Sequence, residues 1–357
     1  MSNFPFSLLI LFSLLCGISL PAQDAEPGTA ESGFESQSGA ESISLFEFLH
    51  RQQDSLPFLR LDTDWGLLVR NKMKEEYQPG VLSFRQEDGS VANLDVKIRA
   101  RGNIRKEVCY FPPVKIKAKK KQLKELGFTP DNDLKLVLPC KSGGNYEVYL
   151  LREALAYRLY EGIHPVHFKT KVIKMEGWEG DKQKQSFTAL LVEDEDEFAA
   201  RLNGKVLKRS NVRPVVLERD PYLKMCFFQY MISNTDWSVP NSHNLELIVV
   251  PGFNRIIAVP YDFDYAGFTG TYYAVPSPTL PINNVNQRLF LGSRVTEEEA
   301  LSTARFFVSK KEEILRQCAA FGLLDEKEVA SLERYLMKFF DLLENDKKIS
   351  RTFANAD

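Results

Sequence analysis

Apolar and charged residues alternate strictly in two stretches of the first half of the chain. In 94–101, Val96, Ile98 and Ala100 interleave with Lys97, Arg99 and Arg101; in 114–119, Val114, Ile116 and Ala118 interleave with Lys115, Lys117 and Lys119. Period-two alternation predicts strands with one apolar and one basic face. Leu151, Leu155 and Leu159 recur every four residues, which predicts an amphipathic helix over 149–161. Residues 166–175 and 185–192 read as a hairpin across a Gly177–Gly180 turn, and the acidic run Glu193 to Glu197 opens a helix ending near Gly204. Asp220-Pro221 then starts a strongly apolar helix through Phe227, Phe228 and Met231 that stops at Asn234. Short strands at 245–250 and 255–260 flank the turn Pro251-Gly252-Phe253-Asn254, and helices near 296–320 and 325–345 follow a Pro-rich loop at 276–281. Strands come first and helices later, an α+β order. The expected organisation is a folded region over 44–357, with a strand-rich lobe over about 44–192 and a helical lobe over about 193–357.

The amino terminus departs from this pattern. Ser7 to Leu20 form a short apolar run ending at Pro21-Ala22, and segment 1–22 reads as a secretory signal peptide cleaved after Ala22. Leu20 is unusually large for its place before the cleavage point, and a buried amino-terminal helix is the alternative. Leu15 is too bulky for Cys16 to be a lipoprotein site. Residues 23–43 are mostly Ser, Gly, Ala and Glu with no basic residue, which predicts a disordered linker. The expected location is therefore exported: periplasmic, cell-envelope or extracellular, with no transmembrane helix in the mature chain. Export leaves Cys109, Cys140, Cys226 and Cys318 in an oxidising compartment, where either a Cys109–Cys140 disulfide or four buried thiols fits the spacing.

Charge changes the picture locally rather than globally. With 46 Lys and Arg against 48 Asp and Glu in 357 residues, there is no overall basic field, and a nucleic-acid partner is not expected. Segment 97–124, however, holds eleven basic residues and one acidic residue, Glu107. If the two alternating strands pair, their lysines and arginines face one another, which is unfavourable unless an anion or solvent intervenes. A nucleotide's phosphates would supply the anion. Arg101-Gly102-Asn103 ends the first strand, and Gly102 would let backbone N–H groups approach a phosphate.

The densest chemistry lies at the two ends of the 245–260 hairpin. Asn234-Thr235-Asp236-Trp237-Ser238-Val239-Pro240-Asn241-Ser242-His243-Asn244 enters it, and Tyr261-Asp262-Phe263-Asp264 leaves it. Pairing of the hairpin would place Asp236, Asn244 and Asp262 at one rim. Two carboxylates and an amide oxygen suit Mg²⁺ carrying substrate phosphates, and one carboxylate can instead accept a proton from a hydroxyl. The plainer reading is that Asp and Asn here cap helices and fill turns, which both favour.

This arrangement resembles the spore-coat protein H (CotH) kinase family, a divergent protein-kinase-like family. The resemblance rests on Arg101-Gly102-Asn103, Val114–Lys117, Asn234-Thr235-Asp236 with His243-Asn244-Leu245, and Tyr261-Asp262-Phe263-Asp264, across about 95–268. Asp236 to Asn241 also keeps the D-x-x-x-x-N spacing of a kinase catalytic loop. The resemblance implies a two-lobed kinase-like fold, ATP with Mg²⁺ or Mn²⁺, and transfer to a hydroxyl-bearing protein or glycan acceptor. It implies Asp236 as catalytic base, Asp262 as metal ligand with Asp264 second, Asn244 or Asn241 completing the metal site, and Lys115 or Lys117, with Arg101, on the phosphates. The chain has no G-x-G-x-x-G loop and no H-R-D motif. Two other classes stay open. A metal-dependent glycosyltransferase could use Asp262-Phe263-Asp264 as a D-x-D motif, though alternating βαβ units are lacking. A non-catalytic envelope binding protein could use the same acids as a calcium or interaction site.

Overall fold

The computed structural model describes residues 42–52, 56–208 and 211–355. The expected signal segment 1–22 and the linker up to residue 41 lie outside the described residues. Residues from Ser42 onward belong to one compact unit, and Ser42, within the expected linker, donates to the Gly127 carbonyl at 2.7 Å.

Seven strands close into a barrel: β1 (Phe58–Asp62), β2 (Gln78–Arg85), β3 (Val91–Ala100), β4 (Val114–Ala118), β5 (Asp133–Val137), β6 (Thr170–Glu179) and β7 (Lys182–Val192). Their spatial order is β1-β2-β3-β4-β5-β7-β6, and β1 closes the ring by pairing parallel to β6. Leu59, Leu61, Leu82, Leu94, Ile98, Ile116 and Leu136 point into a buried apolar interior, so alternation along each strand is set by the barrel wall. The two alternating segments are β3 and β4. Short β1 and β5 carry too few alternating positions to stand out in the sequence. The expected Gly177–Gly180 turn is wrong: both strands of that hairpin run further, Gly177 sits inside β6 at a bulge, and the turn is at Gly180. Gly177 is needed there for space, since a Cβ would lie 2.6 Å from the Trp65 ring.

The helix Tyr146–Glu161 begins three residues earlier than expected and is not amphipathic. Leu150, Leu151, Ala154, Leu155, Ala156, Tyr157, Leu159 and Tyr160 are all buried, together with Glu153. The helix touches β6 and β7 on one side and the helix Glu297–Ala319 on another, so most of its faces meet protein.

The second lobe is built on the apolar helix Arg219–Met231, whose Phe227, Phe228 and Met231 are fully enclosed. Helices Glu297–Ala319, Glu326–Leu343 and a short unexpected Asp346–Phe353 pack around it. Thr296 and Glu299 form a reciprocal cap at the start of the first of these. The expected hairpin is present as β9 (Leu245–Val249) and β10 (Ile257–Pro260), joined by a two-residue strand β8 (Lys205–Val206) in the order β10-β9-β8. The architecture is α+β, a strand-rich lobe followed by a helical one. Among the described residues no helix is long and apolar enough to cross a membrane.

Candidate active site

The loop after Arg219–Met231 positions Asp236. Ser233 turns the chain at φ 51°, and the Asn234 side chain accepts the Asp236 N–H at 3.0 Å, a local Asx turn. Ser238 and His243 then exchange backbone hydrogen bonds at 3.1 and 3.0 Å, folding 238–243 back on itself. That fold returns two side chains to Asp236. Asn244 Nδ2 donates to Asp236 Oδ2 at 3.0 Å and to its carbonyl at 2.8 Å; His243 Nε2 donates to Oδ1 at 3.0 Å. The Asp236 carboxylate raises the His243 pKa by accepting this hydrogen bond.

Pairing of Leu245 with Pro260 brings the hairpin's exit to the same rim, and the Tyr261 N–H donates to the Asn244 carbonyl at 3.1 Å. Asp262 follows at φ 60°, uncommon for a non-glycine residue, and is held by its N–H donating to Tyr157 Oη at 2.8 Å. Burial, reinforced by the nearby Asp264 charge, pushes the Asp262 pKa up to about 8.

Asp264 faces the other lobe. Its Oδ2 accepts Arg105 Nε at 2.8 Å and the Tyr273 hydroxyl at 2.8 Å. Arg105 also donates to Glu153 on the helix Tyr146–Glu161, and all three side chains are at most 11% exposed. Arg105 stands in the short helix Ile104–Val108, entered through Gly102 at φ 82°. Although burial opposes its charge, the Asp264 and Glu153 carboxylates hold the Arg105 pKa well above its ordinary value. Burial raises the Glu153 pKa despite Arg105.

These groups line one cleft between the lobes, of about 180 Å³. Arg101, Asp236, Asn244, Asp262 and Asp264, all singled out in the sequence, meet there. The other three do not. Asn241 is exposed, away from the cleft lining, with its N–H on Ser238 Oγ at 3.4 Å. Lys115 Nζ lies 2.7 Å from Asp133 and 3.7 Å from Asp194, and Lys117 Nζ lies 3.5 Å from Asp133. The expected like-charge facing is real, with Lys97 opposite Lys117 and Arg99 opposite Lys115. The chain's own carboxylates provide counter-charge, Asp133 for the lysines and Glu75 for Arg99 at 2.7 Å. That repulsion therefore does not by itself require a bound anion.

Arg105, Glu153, Tyr157 and Tyr265 line the cleft without having been singled out. A signal existed for Glu153, whose neighbours three and four residues away along the helix, Tyr149, Leu150, Ala156 and Tyr157, are all apolar or aromatic. Arg105 had none beyond lying four residues after Arg101.

The donors in the cleft bear on whether it could hold a divalent ion. Among the described residues no three His, Cys, Asp or Glu are grouped to hold a metal. Magnesium needs only one or two carboxylates when substrate phosphates and waters complete its shell. Asp262 suits such a shell, because its crowding against Asp264 in a desolvated setting is the strain a cation would relieve. Asn244 adjoins it. Asp264 is partly committed, with one oxygen already taken by Arg105 and Tyr273.

No family model matches the chain, and no curated protein matches it. Among solved structures it is similar to the crystal structure of a Helicobacter pylori proinflammatory kinase, CtkA, at 8% identity and a TM-score of 0.37, covering 67% of this chain and 95% of that one.

Proposed function

We propose that the cleft binds ATP with Mg²⁺ or Mn²⁺ and transfers a phosphoryl group to a hydroxyl-bearing protein or glycan acceptor. The observation that carries this is the meeting of Asp236 and Asp262, from opposite ends of one hairpin, with Arg101 from the strand lobe in a single cleft. Phosphoryl transfer asks mainly for positioning and charge stabilisation, which such a set supplies. Asp236 accepts the acceptor's proton, held in aim by Asn244 and His243. Asp262 and Asn244 hold the metal, whose charge would stabilise the transferring phosphoryl group. Arg101 faces the phosphates, while Lys115 and Lys117, paired with Asp133, stand outside the cleft lining. Arg105 ties Asp264 and Glu153 together and so holds the lobes in register. The glycosyltransferase reading is weakened because Asp264, one half of its D-x-D, is engaged by Arg105 and Tyr273.

The test is calorimetric titration of ATP with and without Mg²⁺, beside a phosphate-transfer assay and melting curves. Asp262→Ala should abolish metal-dependent ATP binding. Asp236→Ala should bind ATP like the parent and transfer nothing. A parent that neither binds ATP nor transfers phosphate, while folded, would leave an envelope binding protein as the better account.

A further inference from the structure

A second concavity lies in the helical lobe, outside the cleft. Its volume is about 420 Å³, and among the described residues its charged lining is Arg213, Arg219, Arg255 and Arg294 against the carboxylate of Glu299. That carboxylate is fully used. Glu299 accepts Arg219 Nε and Nη2, both at 2.6 Å, and also caps its own helix by accepting the Thr296 N–H at 2.9 Å. The Arg219 hydrogen bonds hold the Glu299 pKa down to about 2. Among the described residues Arg213, Arg255 and Arg294 have no carboxylate partner. All three are exposed, on three separate stretches of chain.

The local structure holds these arginines together. The Glu218 carboxylate accepts the N–H groups of Asn254 and Arg255 at 3.2 and 3.0 Å, and Arg255 Nη1 donates to the Val215 carbonyl at 3.2 Å. Leu217 bridges to Ile256, so the Arg213–Arg219 segment is pinned beside the turn carrying Arg255. The same segment is tied to the candidate catalytic loop, because the Asn211 N–H donates to the Pro240 carbonyl at 2.6 Å. Arg213 is two residues further on, about 7 Å of extended chain.

We infer that this arginine pocket docks an acidic stretch of a protein acceptor and presents a neighbouring hydroxyl to the cleft. The inference rests on the phosphotransfer reading and adds to it the class of substrate. Guanidinium groups pair with carboxylates in a planar, two-point geometry that lysine cannot reproduce, so several unpaired arginines favour glutamate and aspartate side chains. The pocket is concave, and Pro214, Val215 and Leu217 line it beside the charges. That mixture suits a peptide, with side-chain stems as well as carboxylates, better than the flat headgroup plane of a membrane.

The test uses the full chain and a fluorescent peptide with one serine flanked by glutamates, read by anisotropy without nucleotide. The acidic peptide should bind, weaken with added salt, and lose at least tenfold in affinity with Arg213→Gln plus Arg294→Gln. A counterpart peptide with glutamine for every glutamate should bind at least tenfold more weakly to the parent. Both substituted positions are exposed, and an unchanged melting curve would verify the fold. Equal binding of the two peptides, or no effect of the double variant, would overturn the inference. So would arginine-dependent binding to phosphatidylglycerol vesicles that exceeds peptide binding. The two failures are distinguishable: intact ATP binding without peptide binding sinks this inference alone, whereas peptide binding without ATP binding sinks the phosphotransfer reading, and the acceptor role with it, leaving only the docking of an acidic peptide.

Discussion

Arg105 Nε donates to Asp264 Oδ2 at 2.8 Å across 159 residues of sequence, joining the strand lobe to the loop that ends the hairpin. Glu153 shares the same guanidinium. Removing Arg105 would leave two buried carboxylates without their counter-charge. Breaking a buried pair by deleting one partner typically costs about 3–5 kcal/mol. Urea unfolding of Arg105→Ala should show a loss of that size, and adding Glu153→Gln should recover part of it. A loss under about 1 kcal/mol would mean that water replaces the guanidinium, and that this contact is not what holds the lobes.

The His243–Asp236 pair gives a titration signature. His243 is raised above its ordinary 6.5 by its hydrogen bond to Asp236, then by the charges of Asp236, Asp262 and Asp264. A histidine raised on folding contributes stability that is present below its unfolded pKa and lost as pH rises through the folded one. NMR titration should place the His243 pKa above 6.5, and Asp236→Asn should lower it. The pair is partly exposed, so the change in global stability should be small. No movement of the His243 curve in the variant would contradict the geometry.

Glu197 provides a second titration, seated in burial rather than in a charge pair. Burial raises its pKa from 4.5 to about 7, against a stabilising hydrogen bond with Ser44. The folded state therefore holds a proton that the unfolded state releases between those values, and stability falls as pH rises from about 4.5 to about 7. Glu197→Gln should flatten this slope. Denaturation midpoints at pH 5 and pH 7 check it: an equal slope in parent and variant would locate the pH dependence elsewhere.

The disulfide between Cys109 and Cys140 closes a 31-residue separation beside the candidate site. One half follows the helix that carries Arg105, and the Cys140 carbonyl accepts the N–H groups of Tyr110 and Phe111. Loop-closure entropy for such a span is worth about 3–4 kcal/mol. Cys109→Ser with Cys140→Ser should lower the unfolding free energy by that order, and a reductant should destabilise the parent but leave the double variant unchanged. Cys226 and Cys318 are buried thiols with pKa values pushed up to about 12 by burial, so they should label only on unfolding.

Lys115 and Arg105 mark the gap between sequence and structure. Lys115 alternates with apolar neighbours and so announces itself, yet its partner is Asp133 on the adjacent strand. Arg105 belongs to a five-residue helix with no periodic pattern, yet it makes the central ion pairs of the cleft. Alternation reports which side of a strand faces the core. It is blind to which acid on another element meets a given base.

What the sequence by itself determined is local: period-two strands β3 and β4, the apolar helix Arg219–Met231, the hairpin β9–β10, and Asp236, Asn244 and Asp262 at its ends. Each follows from short-range sterics and from burying an apolar stripe, which neighbouring residues dictate. Barrel closure by β1 against β6, the loss of amphipathicity in Tyr146–Glu161, the placing of Asn241 outside the cleft and of Arg105 within it were decided by tertiary structure. They depend on contacts between residues as far as 159 apart, and the energy of such contacts exists only once the intervening chain has folded.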